Sequence, residues 1–151
     1  RIWLGRKSAF GAMGQINDYM CLDGTIPVSQ LPFVLRRIAE MSKEFGLDVG
    51  NVFHAGDGNM HPLILYNANE PGQLELCERF GAEILKLCVE VGGCLTGEHG
   101  VGIEKRDLMH VQFAADDLDI QMRIKDVFDP KWLLNAAKVF PLDASAPRRV
   151  A

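Results

Sequence analysis

Apolar positions follow two different periods along this chain, one typical of strands and one typical of helices. Residues 17–28 (NDYMCLDGTIPV) are rich in β-branched and aromatic side chains, which predicts a short extended segment. After it, apolar residues recur at helical spacing until Gly46, with Ser29 as the expected N-cap and Pro32 in the first turn. This pattern predicts an amphipathic helix, whose buried face comprises Leu31, Val34, Leu35, Ile38, Met41 and Phe45.

The next stretch, NVFHAGDGNMHPLIL at 51–65, reads as buried strand interrupted at Asp57-Gly58, a dipeptide that favours a two-residue hairpin turn. A second helix is expected from Asn69 and Pro71 to the glycine pair at 92–93. Its apolar face comprises Leu74, Cys77, Phe80, Ile84, Leu85, Cys88 and Val91. The order β-α-β-β-α predicts an α+β fold, a two-layer sandwich with helices on one sheet face and the other face or edge free for a site.

The rest of the chain has less periodicity. Residues 94–109 are glycine-rich and extended in character, and residues 115–128 form a polar helical stretch. Lys105 is expected to be a solvated surface side chain. The proline-broken end, residues 141–151, is expected to be poorly ordered.

Composition limits the class of protein. The 151 residues, 48% of them hydrophobic, suffice for one domain with a core. The 16 basic and 20 acidic residues include no long basic run, which argues against a nucleic-acid partner. We find neither a signal peptide nor a membrane span, so a cytoplasmic protein is expected. The four cysteines lack CxxC spacing and are expected to be buried, reduced thiols. The chain does not begin with Met, which suggests a piece of a larger protein.

Two histidines flank the expected turn. A two-residue turn at Asp57-Gly58 would place His54 directly opposite His61, with Cβ atoms about 5 Å apart on one face. Such a pair could share a metal ion at about 2.1 Å from each nitrogen. The alternative is two unrelated histidines, one of them hydrogen-bonded in the core.

A carboxylate and a third histidine follow in GEHGVG at 97–102. In an extended segment the side chains of Glu98 and His99 would point to opposite sides. Two histidines and one carboxylate form a recurring metal set that leaves positions open for substrate. Taken alone, the segment could equally be a solvated surface loop.

Three motifs together resemble a known family. FHAGDGNMHP, GEHGVGIEK and DPKWLLNAAK, in this order, closely resemble the C-terminal part of the FAD-linked oxidases that act on 2-hydroxy acids, and GRKSAF and LDGTIP extend the resemblance. The glycolate-oxidising members resemble the chain most, followed by the D-lactate and D-2-hydroxyglutarate dehydrogenases. One departure is Ala136-Ala137, where the family pattern has Pro-Gly between Asn135 and Lys138.

The resemblance implies a ferredoxin-like fold over residues 1–140 and a place near the end of a larger flavoenzyme. FAD would be held mainly by an N-terminal domain absent from this chain, with Asn135 as a cofactor contact. A divalent ion, zinc before manganese or iron, would be bound by His54, His61 and Glu98.

The same resemblance assigns the chemistry. His99 would be the catalytic base, and Arg6, in GRK, would bind the substrate carboxylate. The full-length enzyme would oxidise a small 2-hydroxy acid of the glycolate or D-lactate type. Other oxidase subunits or an electron acceptor would be its partners, in the cytoplasm or at the periphery of the inner membrane. Two alternatives are a non-catalytic binding module and a metal-dependent hydrolase or oxygenase.

Overall fold

The structure, a computed structural model, describes residues 2–142. Contacts divide the chain into two compact units, residues 1–98 and residues 99–151. Most of the predicted disordered tail, residues 143–151, lies outside the described residues. No helix among the described residues combines the length and the apolar character needed to cross a membrane.

From its first strand to its last helix, the first unit confirms the predicted order of strands and helices, but a helix that was not predicted precedes the first strand. Its elements are α1 (Ile2–Met13), β1 (Asp18–Cys21), β2 (Gly24–Thr25), α2 (Leu31–Phe45), β3 (Val49–Asn51), β4 (Asn59–Met60), β5 (Pro62–Tyr66) and α3 (Gln73–Glu90). In the second unit, the described helices are α4 (Met109–Gln112) and α5 (Ala115–Phe128). From β1 to α3 the order is β-α-β-β-α, apart from the two short strands β2 and β4.

The sheet is antiparallel. Its three main strands lie in the order β1-β5-β3, and β4 pairs separately with β2. This is an α+β fold, and its elements match the first five of a ferredoxin-like β-α-β-β-α-β unit. After α3, the strand pairing among the described residues is an isolated bridge between Thr25 and Cys94.

Helices α2 and α3 pack together over one face of the sheet, as predicted. Gly81 of α3 lies against Leu22 and Ile64, so a side chain there would crowd the sheet. Burial of apolar surface at this interface supplies the main stabilisation of the unit. The core cluster comprises Leu22, Ile26, Val34, Ile38, Met41, Leu47, Met60, Ile64, Cys77, Phe80, Ile84, Leu87 and Cys88.

The opposite sheet face is not free, contrary to expectation. Met13 of α1 lies where a side chain on Gly50 would stand, and the ring of Phe10 is 6.4 Å from that of Tyr19. Because side chains alternate along a strand, Gly50 and Tyr19 both point away from the α2–α3 layer. Helix α1 was not predicted, because its apolar residues lack a clear helical period and several, such as Trp3, are exposed.

Some helix ends differ from the prediction. Ser29 is not an N-cap but lies in a 3-10 turn, Val28–Gln30, ahead of α2. Gly46 ends α2 in the left-handed conformation as expected, with φ of 67°. Helix α3 begins at Gln73, a few residues later than predicted. Of the four cysteines, Cys77 and Cys88 are buried as predicted, whereas Cys94 is exposed and Cys21 is partly buried.

In the second unit, Asp129 organises the chain that follows α5. Its carboxylate accepts hydrogen bonds from the backbone N–H groups of Leu133 and Leu134 and from the ammonium of Lys125. The hydrogen bond from Lys125 is the main reason that the pKa of Asp129 lies below its ordinary value. Lys105 is buried, with only 2% of its surface exposed, which corrects the expectation of a solvated side chain.

Candidate functional site

The hairpin that carries the two histidines closes through a longer turn than predicted. Residues 55–58 form the turn, and His54 pairs with Asn59. The N–H of Val52 donates to the carbonyl of His61 at 3.2 Å, in the same register. The predicted pairing of His54 directly opposite His61 is therefore wrong by two residues.

Gly58 explains this shift. Its carbonyl accepts the N–H of Ile26 at 2.9 Å, and its φ is 71°. A Cβ on Gly58 would collide with the carbonyl oxygen of Ile26. Gly58 is therefore held against the segment after β2, and the turn extends to include all of residues 55–58.

The two imidazoles nevertheless lie together. In the observed register they are diagonal neighbours, with ring centroids 5.5 Å apart and ring planes at 80°. The prediction that His54 and His61 are close is confirmed, although through another pairing.

His61 is buried and has one nitrogen directed at an acidic residue. Its Nδ1 lies 3.0 Å from the carbonyl oxygen of Leu22, and its Nε2 lies 3.1 Å from Oε1 of Glu98. Because a carbonyl only accepts hydrogen bonds, Nδ1 carries a proton. In the neutral ring the lone pair of Nε2 therefore faces Glu98.

His54 is more exposed and contacts two charged residues. Its Nε2 lies 3.9 Å from the same Oε1 of Glu98. Its Nδ1 lies 3.2 Å from Nη2 of Arg6, which reaches across from α1. The fold thus brings Arg6, His54, His61 and Glu98 together, from three separate parts of the sequence.

Asp23, between β1 and β2, holds the loop that carries Glu98. This fully buried carboxylate accepts the hydroxyl of Thr96 at 2.6 Å, the N–H of Gly97 at 3.0 Å and the N–H of Glu98 at 3.1 Å. Its neighbour Leu22 provides the carbonyl that orients His61. Sequence reasoning missed Asp23, because an Asp-Gly pair beside a strand looks like an ordinary turn.

Gly97 is needed for close packing in the same loop. A Cβ there would lie 2.7 Å from Oδ1 of Asn59 and almost as close to the rest of that amide. Asn59 is buried, and its Oδ1 has no hydrogen-bond partner among the described residues. The loop can therefore approach the hairpin closely only without a side chain at residue 97.

The two other residues predicted to belong to the site, His99 and Asn135, lie in the second unit. Residues 97–99 form a bend, so the premise of an extended segment around Glu98 and His99 is wrong. His99 is exposed and begins the second unit. Asn135 is exposed in a turn with φ of 48°, and Ala137 in the same turn has φ of 58°.

Ligand atoms suited to a metal ion converge in the first unit. Those of Asp23, His61 and Glu98 lie within 4.8 Å of one another. We assign Asp23 to loop positioning because both of its oxygens already accept hydrogen bonds from the loop. His61 and Glu98, with His54 on the other side of Glu98, have the donor atoms of a two-histidine, one-carboxylate site.

Comparison with known proteins shows the family to which the chain belongs. The family model described as "FAD linked oxidases, C-terminal domain" matches residues 1–139. The glycolate oxidase subunit GlcD of Escherichia coli (strain K12) is 55% identical over 142 residues, which cover 93% of this chain and 28% of that protein.

More distant relatives also match most of this chain and less than a third of their own length. GlcD of Bacillus subtilis (strain 168) is 32% identical, over 92% of this chain and 30% of its own length. A mitochondrial D-lactate dehydrogenase (cytochrome) of Kluyveromyces lactis is 36% identical, over 80% of this chain and 20% of its own length. The chain spans less than a third of the length of these relatives. The chain belongs to the FAD-linked oxidases and corresponds to their C-terminal domain.

Proposed function

We propose that the whole protein is an FAD-dependent oxidoreductase that converts a 2-hydroxy acid, of the glycolate or D-lactate type, to the 2-oxo acid. This chain would supply the side of the active site that binds the metal ion and the substrate. The names of the relatives support the reaction class. One observation supports metal and substrate binding by this chain. The imidazoles of His54 and His61 both face the carboxylate of Glu98, and the guanidinium of Arg6 lies beside His54.

The residues fit a divalent ion. Two ligands of a tetrahedral ion, each about 2.1 Å from the metal, are about 3.4 Å apart. From Oε1 of Glu98, the distances of 3.1 Å to Nε2 of His61 and 3.9 Å to Nε2 of His54 bracket that value. In neutral His61, Nε2 and the carboxylate are both acceptors, and a cation between them would satisfy both. We assign His54, His61 and Glu98 as ligands, of zinc first and of manganese or iron as alternatives.

Arg6 and His99 would have different roles toward the substrate. The planar guanidinium of Arg6 suits a bidentate pair with the substrate carboxylate. A bound divalent ion would lower the pKa of the substrate hydroxyl by stabilising the alkoxide. His99 would accept the hydroxyl proton, since an imidazole has a suitable pKa for a general base.

FAD would accept the hydride that leaves C2 of the substrate. A region outside this chain would bind most of the FAD, and Asn135 would contact it. The word "subunit" in the name of a relative supports further oxidase subunits or an electron acceptor as partners. We place the protein in the cytoplasm or at the periphery of the inner membrane.

Anaerobic flavin reduction in the full-length protein tests this function. We expect a subset of a panel of D- and L-2-hydroxy acids to bleach the flavin, and His54→Asn and His61→Asn to lose both bound metal and reduction. Unchanged metal content and reduction in both variants would show that the ligand assignment is wrong. If no 2-hydroxy acid reduced the flavin, the proposed function would be wrong, and a hydrolase, an oxygenase or a binding module would fit the site better.

A further inference from the structure

The contact between Arg6 and His54 determines which ring nitrogen carries the proton. A guanidinium has only donors, so at 3.2 Å from Nη2 the Nδ1 atom of His54 must be the acceptor. The proton of the neutral ring is then on Nε2, the nitrogen nearer to Glu98.

His61 has the opposite arrangement. Its Nδ1 donates to the carbonyl of Leu22, and its Nε2 keeps the lone pair. Because this carbonyl belongs to the fixed backbone beside β1, His61 is already in the form that binds a metal through Nε2. His54 is not.

Contact with Arg6 and metal binding by His54 exclude each other. A metal on Nε2 requires the proton to be on Nδ1, and a protonated Nδ1 cannot accept a hydrogen bond from Arg6. A metal on Nδ1 would displace Arg6 directly. Whichever nitrogen of His54 binds the metal, the hydrogen bond between Arg6 and His54 has to break.

We propose that Arg6 holds the metal-free His54 in a tautomer that cannot bind a metal ion, and that binding of a divalent cation to His54 frees the guanidinium of Arg6 to bind an anionic carboxylate. This inference rests on the proposed function of the same site. It makes cation binding and carboxylate binding favour each other, since both require Arg6 to leave His54.

Zinc affinity of the full-length protein, measured by competition with a chromophoric chelator and without substrate, tests the proposal. Arg6→Met should bind zinc about threefold to tenfold more tightly than wild type, the usual net effect of one hydrogen bond. Lys7→Met is the matched control, because it removes the same charge from the adjacent exposed position of α1. Equal or weaker affinity in Arg6→Met, or the same gain in Lys7→Met, would overturn the proposal.

Histidine tautomers provide a second, direct readout. With ¹⁵N-labelled histidine, and with His54→Gln and His61→Gln for assignment, metal-free protein should show the proton of His54 on Nε2 and that of His61 on Nδ1. Zinc should move the His54 proton to Nδ1 and leave His61 unchanged. If the His54 proton were on Nδ1 without metal, the proposal would fail.

Glu98→Gln separates this inference from the proposed function. If it weakens zinc binding while Arg6→Met has no effect, the metal site stands and the role of Arg6 is wrong. If Glu98→Gln leaves zinc binding unchanged, the metal site itself is wrong, and the inference about Arg6 falls with it.

Discussion

Asp23 is a buried carboxylate whose position determines that of Glu98. One hydroxyl and two backbone N–H groups of residues 96–98 donate to it. A carboxylate has enough lone pairs for all of them, whereas an amide would direct an NH₂ group at one of these donors. The loop that carries Glu98 is therefore held by charge and hydrogen bonding.

We expect Asp23→Asn to weaken zinc binding by about 10- to 100-fold, the usual effect of removing a group that orients a metal ligand. Chelator competition on the full-length protein measures this. Asp57→Asn, at an exposed position of the turn, is the control and should bind zinc like wild type. Equal affinities for the two variants would contradict the role of Asp23.

Glu98 and His99 are neighbours for which we predict different functions. The backbone is a bend at both residues, and Glu98 faces both imidazoles of the first unit. Glu98→Gln should lose metal together with activity, and excess metal should restore part of both. His99→Asn should keep the metal but slow flavin reduction by roughly 10²-fold or more, the contribution of a positioned general base.

Metal analysis and single-turnover flavin reduction on these two variants show which function each residue has. The division is wrong if His99→Asn empties the metal site, or if Glu98→Gln keeps the metal while abolishing reduction.

At the scale of elements, the turn after α5 shows the consequence of a departure from the family pattern. Ala137 occupies the position where the pattern has Gly and adopts φ of 58°. A residue with a Cβ is strained there by roughly 1–2 kcal/mol. The carbonyl of Ala137 accepts a hydrogen bond from Arg106 at 2.7 Å, which helps to hold this conformation.

Ala137→Gly should stabilise the second unit by roughly 0.5–1 kcal/mol, because the relief of strain exceeds the greater entropy of glycine in the unfolded chain. Denaturant unfolding followed by the fluorescence of buried Trp132 measures the change. Ala136→Gly is the control and should destabilise, since the φ of Ala136 is negative. A loss of stability in Ala137→Gly would show that the strain is absent.

At the scale of the whole molecule, the chain is a small part of its relatives. It spans less than a third of their length. The three proposed metal ligands and Arg6 lie in the first unit, whereas His99 and Asn135 lie in the second. The proposed reaction also needs FAD, for which we expect the main binding region to be elsewhere in the polypeptide.

We therefore expect these 151 residues, prepared alone, to show no stoichiometric flavin spectrum and no turnover of 2-hydroxy acids. Absorbance spectroscopy and a dye-reduction assay test this, with the full-length protein as the positive control. Bound flavin with turnover in the isolated chain would contradict it.

Helices with a strong amphipathic pattern were predicted well, because local apolar spacing determines which face is buried. The end of α2 at Gly46 agrees with the structure, and so do the bounds of α5, although the pattern of α5 is mostly polar. Helix α1 was missed, because its contacts with Tyr19 and Gly50 come from distant strands and leave little pattern in the helix itself.

The sequence by itself indicated the family, the α+β order of elements from β1 to α3 and the metal ligands that we propose, because these depend on residue identity and local spacing. Only the tertiary structure decided the hairpin register, the contact of Arg6 with His54 and the role of Asp23. Each of these depends on a long-range contact: Ile26 holds Gly58, α1 reaches the hairpin, and Asp23 binds residues 96–98. Such contacts depend on how distant segments pack, which periodicity along the chain does not encode.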